Sequence, residues 1–268
     1  MAHENPYAPP VATVFDAPES RSGSLELLHP LGRRVGTDRP WQWLQNAWAL
    51  FKPEALKWWI VIAAATALHV AVIRVPGLSP FSLIVTLLAP LFLAGVGVCA
   101  NNVNLTAKFS LTDLLAGFKH RPVPLLQVGA CCVVLDLACL TLDYFVFGLK
   151  DPLVVFFGLG SDQDTERFMN AQGAVYWITQ VGTSWLILSI SAFAPYLIHE
   201  HGLSAPKAMF ASAAGWHKNT PALLVLGFWL FVLAIGATIP FGLGWLALLP
   251  VLFLLEYCAY RDIYLASD

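Results

Sequence analysis

The stretch from Phe81 to Asn101, FSLIVTLLAPLFLAGVGVCAN, contains no charged residue. An α-helix needs about 20 residues to cross the ~30 Å hydrocarbon core of a bilayer, and this stretch is long and apolar enough to do so. The whole chain has the same character, because 57% of its 268 residues are hydrophobic and 12% are charged. An average soluble domain has about 25% charged residues. The composition therefore predicts an integral membrane protein and argues against a soluble enzyme.

Five further apolar windows of similar length accompany this stretch. The six predicted spans are Trp58–Val75, Phe81–Asn101, Val123–Phe147, Ala174–Ile198, Pro221–Ile239 and Leu243–Tyr260. Proline and glycine end helices, so Pro240 to Gly242 predict a tight turn between the last two spans. The predicted fold class is an all-helical membrane protein with six transmembrane helices.

The chain before the first span has a different composition. Residues 1–38 are rich in Pro, Ser and Gly and show no helical or strand period. We expect a disordered or loosely attached tail there, followed by a transmembrane domain over residues 39–268. The tail lacks the basic start and continuous apolar core of a signal peptide, so the chain is expected to be retained whole.

Lysine and arginine fall mostly on one side of the predicted bundle. The side that carries both termini has nine of them near the spans: Arg39, Lys52, Lys57, Lys108, Lys119, Arg121, Lys207, Lys218 and Arg261. The opposite side has three: Arg74, Lys150 and Arg167. Because basic loops tend to stay in the cytoplasm, both termini are predicted to be cytoplasmic. The acidic segment from Gly148 to Gly173 is predicted to face the opposite side.

Three segments of the chain share one order of features: a short amphipathic helix, a basic or polar cluster, a proline and two spans. AGFKHRP (Ala116 to Pro122) aligns with AGWHKNTP (Ala214 to Pro221) with one residue inserted, and WQWLQNAWALFKP before the first span has the same role. This pattern predicts three parallel units at about 39–103, 109–200 and 203–264, with cytoplasmic helices that lie in the headgroup layer. The alternative is that basic amphipathic linkers and prolines occur here without duplication.

The amphipathic helices carry the candidate binding residues. Trp41, Leu44, Trp48 and Phe51 recur at helical spacing and predict one apolar stripe. The residues expected to contact lipid or a partner protein are Trp41, Trp48, Phe51, Phe118 and Trp216.

Ionisable residues inside the predicted spans need a partner or a function, because each costs about 2.5 to 3.5 kcal/mol at mid-bilayer. Asp136 and Asp143 lie seven residues apart on one face of the third span, and His69 and Arg74 lie at comparable depths in the first. If these spans pack together, His69 can face Asp136 and Arg74 can face Asp143. The two interpretations are a proton- or solute-coupling site and a structural polar clasp.

Other polar groups give no catalytic pattern. Glu256 in the last span is expected to pair with Arg261 or to extend to the interface. His199, Glu200 and His201 are adjacent, whereas a metal pair on a helix needs residues i and i+4, so no metal is predicted. The five cysteines lie in apolar runs without zinc or redox spacing. There is no GxSxG, Walker A, GxGxxG or HExxH motif, and no enzyme activity, cofactor or nucleic-acid partner is predicted.

Several stretches resemble a family of uncharacterised proteobacterial inner-membrane proteins with six spans. They are NPYAPP, WQWLQNAWALFKP, FAPYLIHEHGLSAPKAMFASAAGWHKN, GLGWLALLP and AYRDIY. The resemblance covers Arg39 to Leu265 and the short opening, and it implies a bacterial inner-membrane location but no functional residues. A more distant likeness is to the membrane domain found beside glycerophosphodiester phosphodiesterase domains, here without the catalytic domain.

The expected function is that of a non-catalytic integral inner-membrane protein, either an accessory subunit or a scaffold that binds lipid or protein. Its expected partners are membrane lipid and either another membrane protein complex or a second copy of the chain. The alternative is a small-solute or proton-coupled transporter or channel that uses Asp136.

Overall fold

The computed structural model describes residues 27, 29–74, 81–147, 173–239 and 241–265. In these ranges the protein is all-helical, with one antiparallel bridge between Leu27 and Leu265. The α-helices are α1 (Arg39–Phe51), α2 (Ala55–Arg74), α3 (Phe81–Thr106), α4 (Ala116–Lys119), α5 (Pro122–Phe147), α6 (Ala174–Ser191), α7 (Ala194–His201), α8 (Ala205–Lys218), α9 (Thr220–Thr238) and α10 (Trp245–Tyr264). Short 3-10 helices cover Lys52–Glu54 and Leu111–Leu115. Most of the predicted tail and nearly all of the predicted acidic segment lie outside the described residues.

Four stretches of the described chain are long and apolar enough to cross a membrane. They are Phe81–Thr106, Pro122–Cys139, Tyr176–His201 and Thr220–Thr238. They correspond to the second to fifth predicted spans, so the prediction of an all-helical, multi-pass membrane protein is confirmed at this level. The predicted first and sixth spans form α2 and α10, helices of 20 residues each that are not among these four.

Burial separates inner from outer helices. The apolar windows in α3 and in α6–α7 are each 44% buried, whereas those in α5 and α9 are 22% buried. The second half of α10 is also buried, with Leu254, Tyr257 and Tyr260 fully enclosed. Helices α3, α7 and α10 therefore form the centre of the bundle, and α5 and α9 expose most of their apolar surface.

Two of the three amphipathic segments pack along a long helix that precedes them in the chain. The 3-10 helix Leu111–Leu115 and α4 pack on α3, and α8 packs on α6 and α7. Helix α1, the third segment, packs along α10, the last helix. The start and the end of the helical region are thus joined side by side.

A proline lies where each amphipathic segment leads into a long helix. Pro53 is in the 3-10 turn between α1 and α2, Pro122 is the first residue of α5, and Pro221 is the second residue of α9. Proline is tolerated in the first turn of a helix, because the N–H group that it lacks would have no intrahelical partner there. The chain therefore changes direction at these points with little loss of backbone hydrogen bonding.

The buried face of α1 differs from the predicted stripe. Leu44 and Phe51 are buried as expected, but Trp41 is 47% exposed and Trp48 is 41% exposed. The observed buried face consists of Trp43, Leu44, Ala47, Leu50 and Phe51. The helix is rotated relative to the prediction because the Trp43 indole N–H donates to Asp262 on α10, at 2.7 Å.

The long helical segment formed by α6 and α7 is interrupted at residues 192–193, just before Pro195. The Ser212 hydroxyl of α8 donates to the Ser189 carbonyl at 2.8 Å and accepts the Phe193 backbone N–H at 3.1 Å. These bonds satisfy backbone groups that the break releases, which matters because water is scarce in the interior of a membrane protein. The break therefore fixes α8 against the inner helices.

Candidate functional site: the polar end of the bundle

Helices α3, α7 and α10 end on the same side of the bundle, at Thr106, His201 and Tyr264, and we call this side the polar end. Its centre is filled by Tyr196, Tyr257, Tyr260 and Tyr264, whose side chains are all fully buried. The ring centroids of Tyr196 and Tyr260 are 5.1 Å apart, and those of Tyr260 and Tyr264 are 5.8 Å apart. Such contacts add to the stabilisation that burial of the rings supplies. The centre of the polar end is therefore a packed aromatic core.

Three of these hydroxyl groups have partners. Tyr257 donates to Asn101 Oδ1 at 3.3 Å, and Tyr264 donates to the Ala211 carbonyl at 2.8 Å. Tyr260 and His201 Nε2 share a hydrogen bond of 2.6 Å. The bonds link α10 to α3, α7 and α8, so they fix how the inner helices are arranged.

Glu256 does not make the predicted pair with Arg261. Its Oε1 atom is buried and has no hydrogen-bond partner among the described residues, and the same is true of the Tyr196 hydroxyl. The Arg261 guanidinium lies instead over the Tyr257 ring, 6.0 Å from the centroid. Arg261 therefore makes a cation–π contact with Tyr257, the residue that follows Glu256 on α10.

Asp262 anchors the junction between α1 and α10. Its side chain is 6% exposed. One carboxylate oxygen accepts Arg39 Nε at 2.6 Å and Trp43 Nε1 at 2.7 Å, and the other accepts Arg39 Nη2 at 2.6 Å and Arg33 Nη2. Arg39 binds in the two-pronged geometry that is strongest for an arginine and a carboxylate. We call Arg33, Arg39, Trp43 and Asp262 the Asp262 cluster.

The Asp262 cluster was not predicted from the sequence. A carboxylate in the last turn of a helix is opposed by the helix dipole, so a strong partner was to be expected. That signal was available in the sequence, but it did not identify the partners. They lie 219 to 229 residues away along the chain.

The chain before α1 is part of the polar end. We call residues 29–38 the strap. The Arg33 N–H donates to the Ile263 carbonyl at 2.8 Å, and the Val35 N–H donates to Asn219 Oδ1 at 2.8 Å. Lys218 Nζ donates to the carbonyls of Leu31 and Gly32, at 3.1 and 3.0 Å. Hydrogen bonds to the main chain therefore hold this part of the predicted tail against the bundle, although its sequence has no hydrophobic period.

The Asp262 cluster predicts how stability depends on pH. Burial alone would raise the pKa of Asp262, but the hydrogen bonds from Arg39, Trp43 and Arg33 outweigh it and hold the pKa below its usual 3.8. The stabilising contribution is therefore complete at neutral pH and is lost as the pH falls through the lowered pKa. We expect the difference in thermal midpoint between the wild type and Asp262→Asn to be constant between about pH 7 and 5 and to shrink below about pH 4. A difference that grew towards acid would contradict this.

The intramembrane candidates are only partly described. Asp136 is half-buried on α5, and the Thr86 hydroxyl of α3 lies near it. The side chains of His69, Arg74 and Asp143 lie outside the described residues, and so do the two predicted pairs that involve them. Helix α2 packs on α3 and α10, whereas α5 packs on α3, α6, α7 and α8. Asp136 therefore has a hydroxyl group on an adjacent helix as a polar neighbour.

The five predicted contact residues divide into two groups. Trp41, Trp48 and Phe118 are exposed, the last to 36%. Phe51 is buried at the end of α1, and Trp216 is half-buried with its ring edge-to-face on Trp185, centroids 5.2 Å apart. Helices α1 and α8 turn the rings of Phe51 and Trp216 toward the bundle, so these two are less accessible than the first three.

The histidines of the His199–Glu200–His201 triplet point to different neighbours. His201 bonds Tyr260, whereas the His199 ring lies 6.0 Å from the His120 ring. Helical residues two positions apart diverge by about 200° around the axis, which accounts for this separation. The two imidazoles therefore do not converge on one point.

The fold and composition define the class of protein, which is an all-helical, multi-pass membrane protein. No family model, no curated protein and no solved structure matches the chain.

Proposed function

We propose that this chain is a non-catalytic integral membrane protein that binds another membrane component, as an accessory subunit or as a scaffold for lipid and protein. The observation that carries this proposal is the two-sided character of α1. One face of the helix is buried against α10, and the other exposes Trp48 and Trp41, whose ring lies 5.2 Å from that of Trp229 on α9. The Lys52 ammonium lies 5.6 Å from the centroid of the Trp48 ring. Exposed tryptophan beside lysine is typical of membrane interfaces.

The exposed tryptophans stand on a fixed support. Arg39 and Trp43 hold the start of α1 on Asp262, and Leu50 and Phe51 are buried at its end. A binding surface on a rigid helix loses little conformational entropy when a partner docks. Tryptophan is also among the residues that contribute most to binding energy at protein interfaces. We call the surface formed by Trp41 and Trp48 the α1 tryptophan surface.

We also propose the finer topology. Helices α2 and α10 would be the first and sixth spans, since 20 residues at about 1.5 Å each give ~30 Å, the thickness of the hydrocarbon core. The polar end would then face the cytoplasm, because the basic residues near the spans cluster on that side. The resemblance to proteobacterial six-span proteins supports an inner-membrane location with both termini cytoplasmic.

The three-unit parallel repeat is part of the same proposal. Its support is that the amphipathic segments of the second and third units pack on the inner helix of the unit before them, while α1 packs on α10. In both aligned motifs the glycine allows close packing on a long helix: Gly117 lies against the Leu91 backbone, and Gly215 lies against the Tyr264 side chain. The arrangement would close three units into a ring.

The alternative function, a transporter or channel that uses Asp136, has less support. Asp136 lies near Thr86, where α5 packs on α3, as a structural clasp would. Pairing of this kind is the usual environment of an intramembrane carboxylate.

Replacement of both exposed tryptophans is expected to abolish association while the fold is kept. In the Trp41→Ala/Trp48→Ala variant the buried face of α1 and the Asp262 cluster are unchanged. Loss of two interfacial tryptophans is expected to weaken binding at least about 30-fold, since each costs on the order of 1–2 kcal/mol or more. The measurement is quantitative mass spectrometry of molecules that co-purify with each variant in native nanodiscs, together with its thermal midpoint.

The matched control is Gln42→Ala/Gln45→Ala, two exposed residues on the same helix. It should retain every co-purifying molecule that the wild type has. If the tryptophan variant retained all of them too, the α1 tryptophan surface would not be the binding surface.

A further inference from the structure

The two aligned motifs differ in what covers their basic residues. In AGWHKNTP, Lys218 donates to the carbonyls of Leu31 and Gly32, and Asn219 Nδ2 donates to the Arg33 carbonyl at 2.8 Å. The strap therefore lies over this motif and supplies oxygen acceptors to it. The chain itself therefore supplies the hydrogen-bond acceptors of Lys218.

The same place in AGFKHRP is uncovered among the described residues. Lys119, His120 and Arg121 are all exposed. Arg121 donates one Nη to the Gly202 carbonyl at 2.9 Å, and the His120 ring packs edge-to-face near His199. Lys119 makes no ion pair within the described ranges. We call Lys119, His120, Arg121 and His199 the basic corner.

The acidic residues nearest in sequence are engaged elsewhere. Asp113 Oδ2 accepts Asn102 Nδ2 and the Ser110 backbone N–H, both at 2.9 Å. Glu200 follows His199 along α7, and no ion pair among the described residues joins its carboxylate to Lys119 or Arg121. The positive charge of Lys119 and Arg121 is therefore not neutralised by a carboxylate in the described part of the chain.

An apolar surface continues from the basic corner. Phe118 is 36% exposed and Phe92 is 44% exposed, and their rings meet edge-to-face with centroids 5.0 Å apart. Pro122, directly after Arg121, begins the apolar stretch Pro122–Cys139. Cationic groups thus lie where a membrane-spanning helix begins, with exposed aromatic rings beside them.

We propose that the basic corner binds the phosphate headgroup of an anionic phospholipid, whose acyl chains lie along Phe118 and Phe92. In the other motif, carbonyl oxygens of the strap accept hydrogen bonds from Lys218. At the basic corner, phosphate oxygens would accept the corresponding hydrogen bonds from Lys119 and Arg121. Basic pockets between helices at the membrane surface are recognised sites for anionic lipids. The inference deepens the proposed function, because it names the chemical class of one bound membrane component, at a site separate from the α1 tryptophan surface.

The test uses the full chain in nanodiscs that contain equal amounts of phosphatidylglycerol and phosphatidylcholine. Mass spectrometry counts the lipids that remain bound after detergent extraction. The wild type should be enriched in phosphatidylglycerol, and Lys119→Gln/His120→Gln should lower that enrichment about fivefold or more, the change expected from loss of one cation near an anionic headgroup. The control Lys108→Gln removes an exposed lysine of the loop after α3 and should leave the enrichment intact.

Three results would overturn the inference. They are no phosphatidylglycerol enrichment in the wild type, an equal loss in the control, and displacement of the lipid by inorganic phosphate alone, which would indicate a site for free phosphate. The thermal midpoint in pure phosphatidylcholine checks folding and should be the same for all three proteins. If the lipid result failed while the Trp41→Ala/Trp48→Ala variant still lost its partner, the proposed function would stand without this site. If the tryptophan result failed alone, the lipid site would stand without the proposed surface.

Discussion

Asp262→Ala is expected to unfold at a clearly lower temperature than the wild type. The substitution leaves two arginines without their carboxylate and leaves the buried Trp43 indole N–H without an acceptor. Breaking a buried ion pair costs about 3–5 kcal/mol, and we expect the lower end because both arginines are partly exposed. At about 2–4 °C per kcal/mol for a chain of this size, the midpoint should fall by roughly 10 °C. Thermal unfolding of the purified protein in one detergent measures the effect.

Asp38→Ala is the matched control for this prediction. Asp38 precedes α1, is exposed, and makes no capping hydrogen bond through its side chain. Its replacement should change the midpoint by no more than about 1–2 °C, as expected of a surface substitution. Equal shifts for the two variants would mean that the Asp262 cluster does not hold α1 on α10.

Gly129→Ala is expected to separate α5 from α3. A Cβ atom at Gly129 would overlap the Leu87 carbonyl oxygen, which is backbone and cannot rotate away. Overpacking of this kind typically lowers the free energy of unfolding by about 1–3 kcal/mol and occasionally by more. We expect a loss at the upper end of this range, because the clash is with backbone atoms. The thermal midpoint in the same detergent should fall by several degrees.

Gly227→Ala provides the opposite case in another apolar helix. A Cβ atom at Gly227 of α9 would meet nothing within 4 Å. Alanine favours a helix over glycine by about 1 kcal/mol, so this variant should be as stable as the wild type or slightly more so. If Gly129→Ala behaved like Gly227→Ala, the close packing of α3 and α5 would be incorrect.

The sequence predicted the helices well where burial in lipid or protein is the only requirement. Four apolar windows coincide with the candidate spans, and the prolines lie at helix starts as the pattern indicated. Ser110 and Asp113 form a reciprocal capping box, whereas Asp38 and Ser204, which precede α1 and α8 in the same way, make no capping hydrogen bond through their side chains. These features depend on residues within a few positions of each other.

The sequence did not predict what depends on distant residues. The rotation of α1 follows from the bond between Trp43 and Asp262, which are 219 residues apart. The strap is held by main-chain groups, which carry no side-chain pattern. Trp41 and Trp48 were identified as contact residues on composition and are exposed, whereas Trp216 has the same residue type but is half-buried because α8 packs on α6. Residue type therefore indicated the kind of surface, and tertiary packing decided which rings remain accessible.

The proposed function requires that the chain bind a specific membrane component through its exposed aromatic residues. Mass spectrometry of the wild-type chain extracted in native nanodiscs at natural abundance, compared with discs from the same membranes without it, measures this. We expect a protein or a lipid species that accompanies the chain at a fixed ratio and exceeds its share in the surrounding membrane. A chain accompanied only by lipids in their bulk proportions would contradict it.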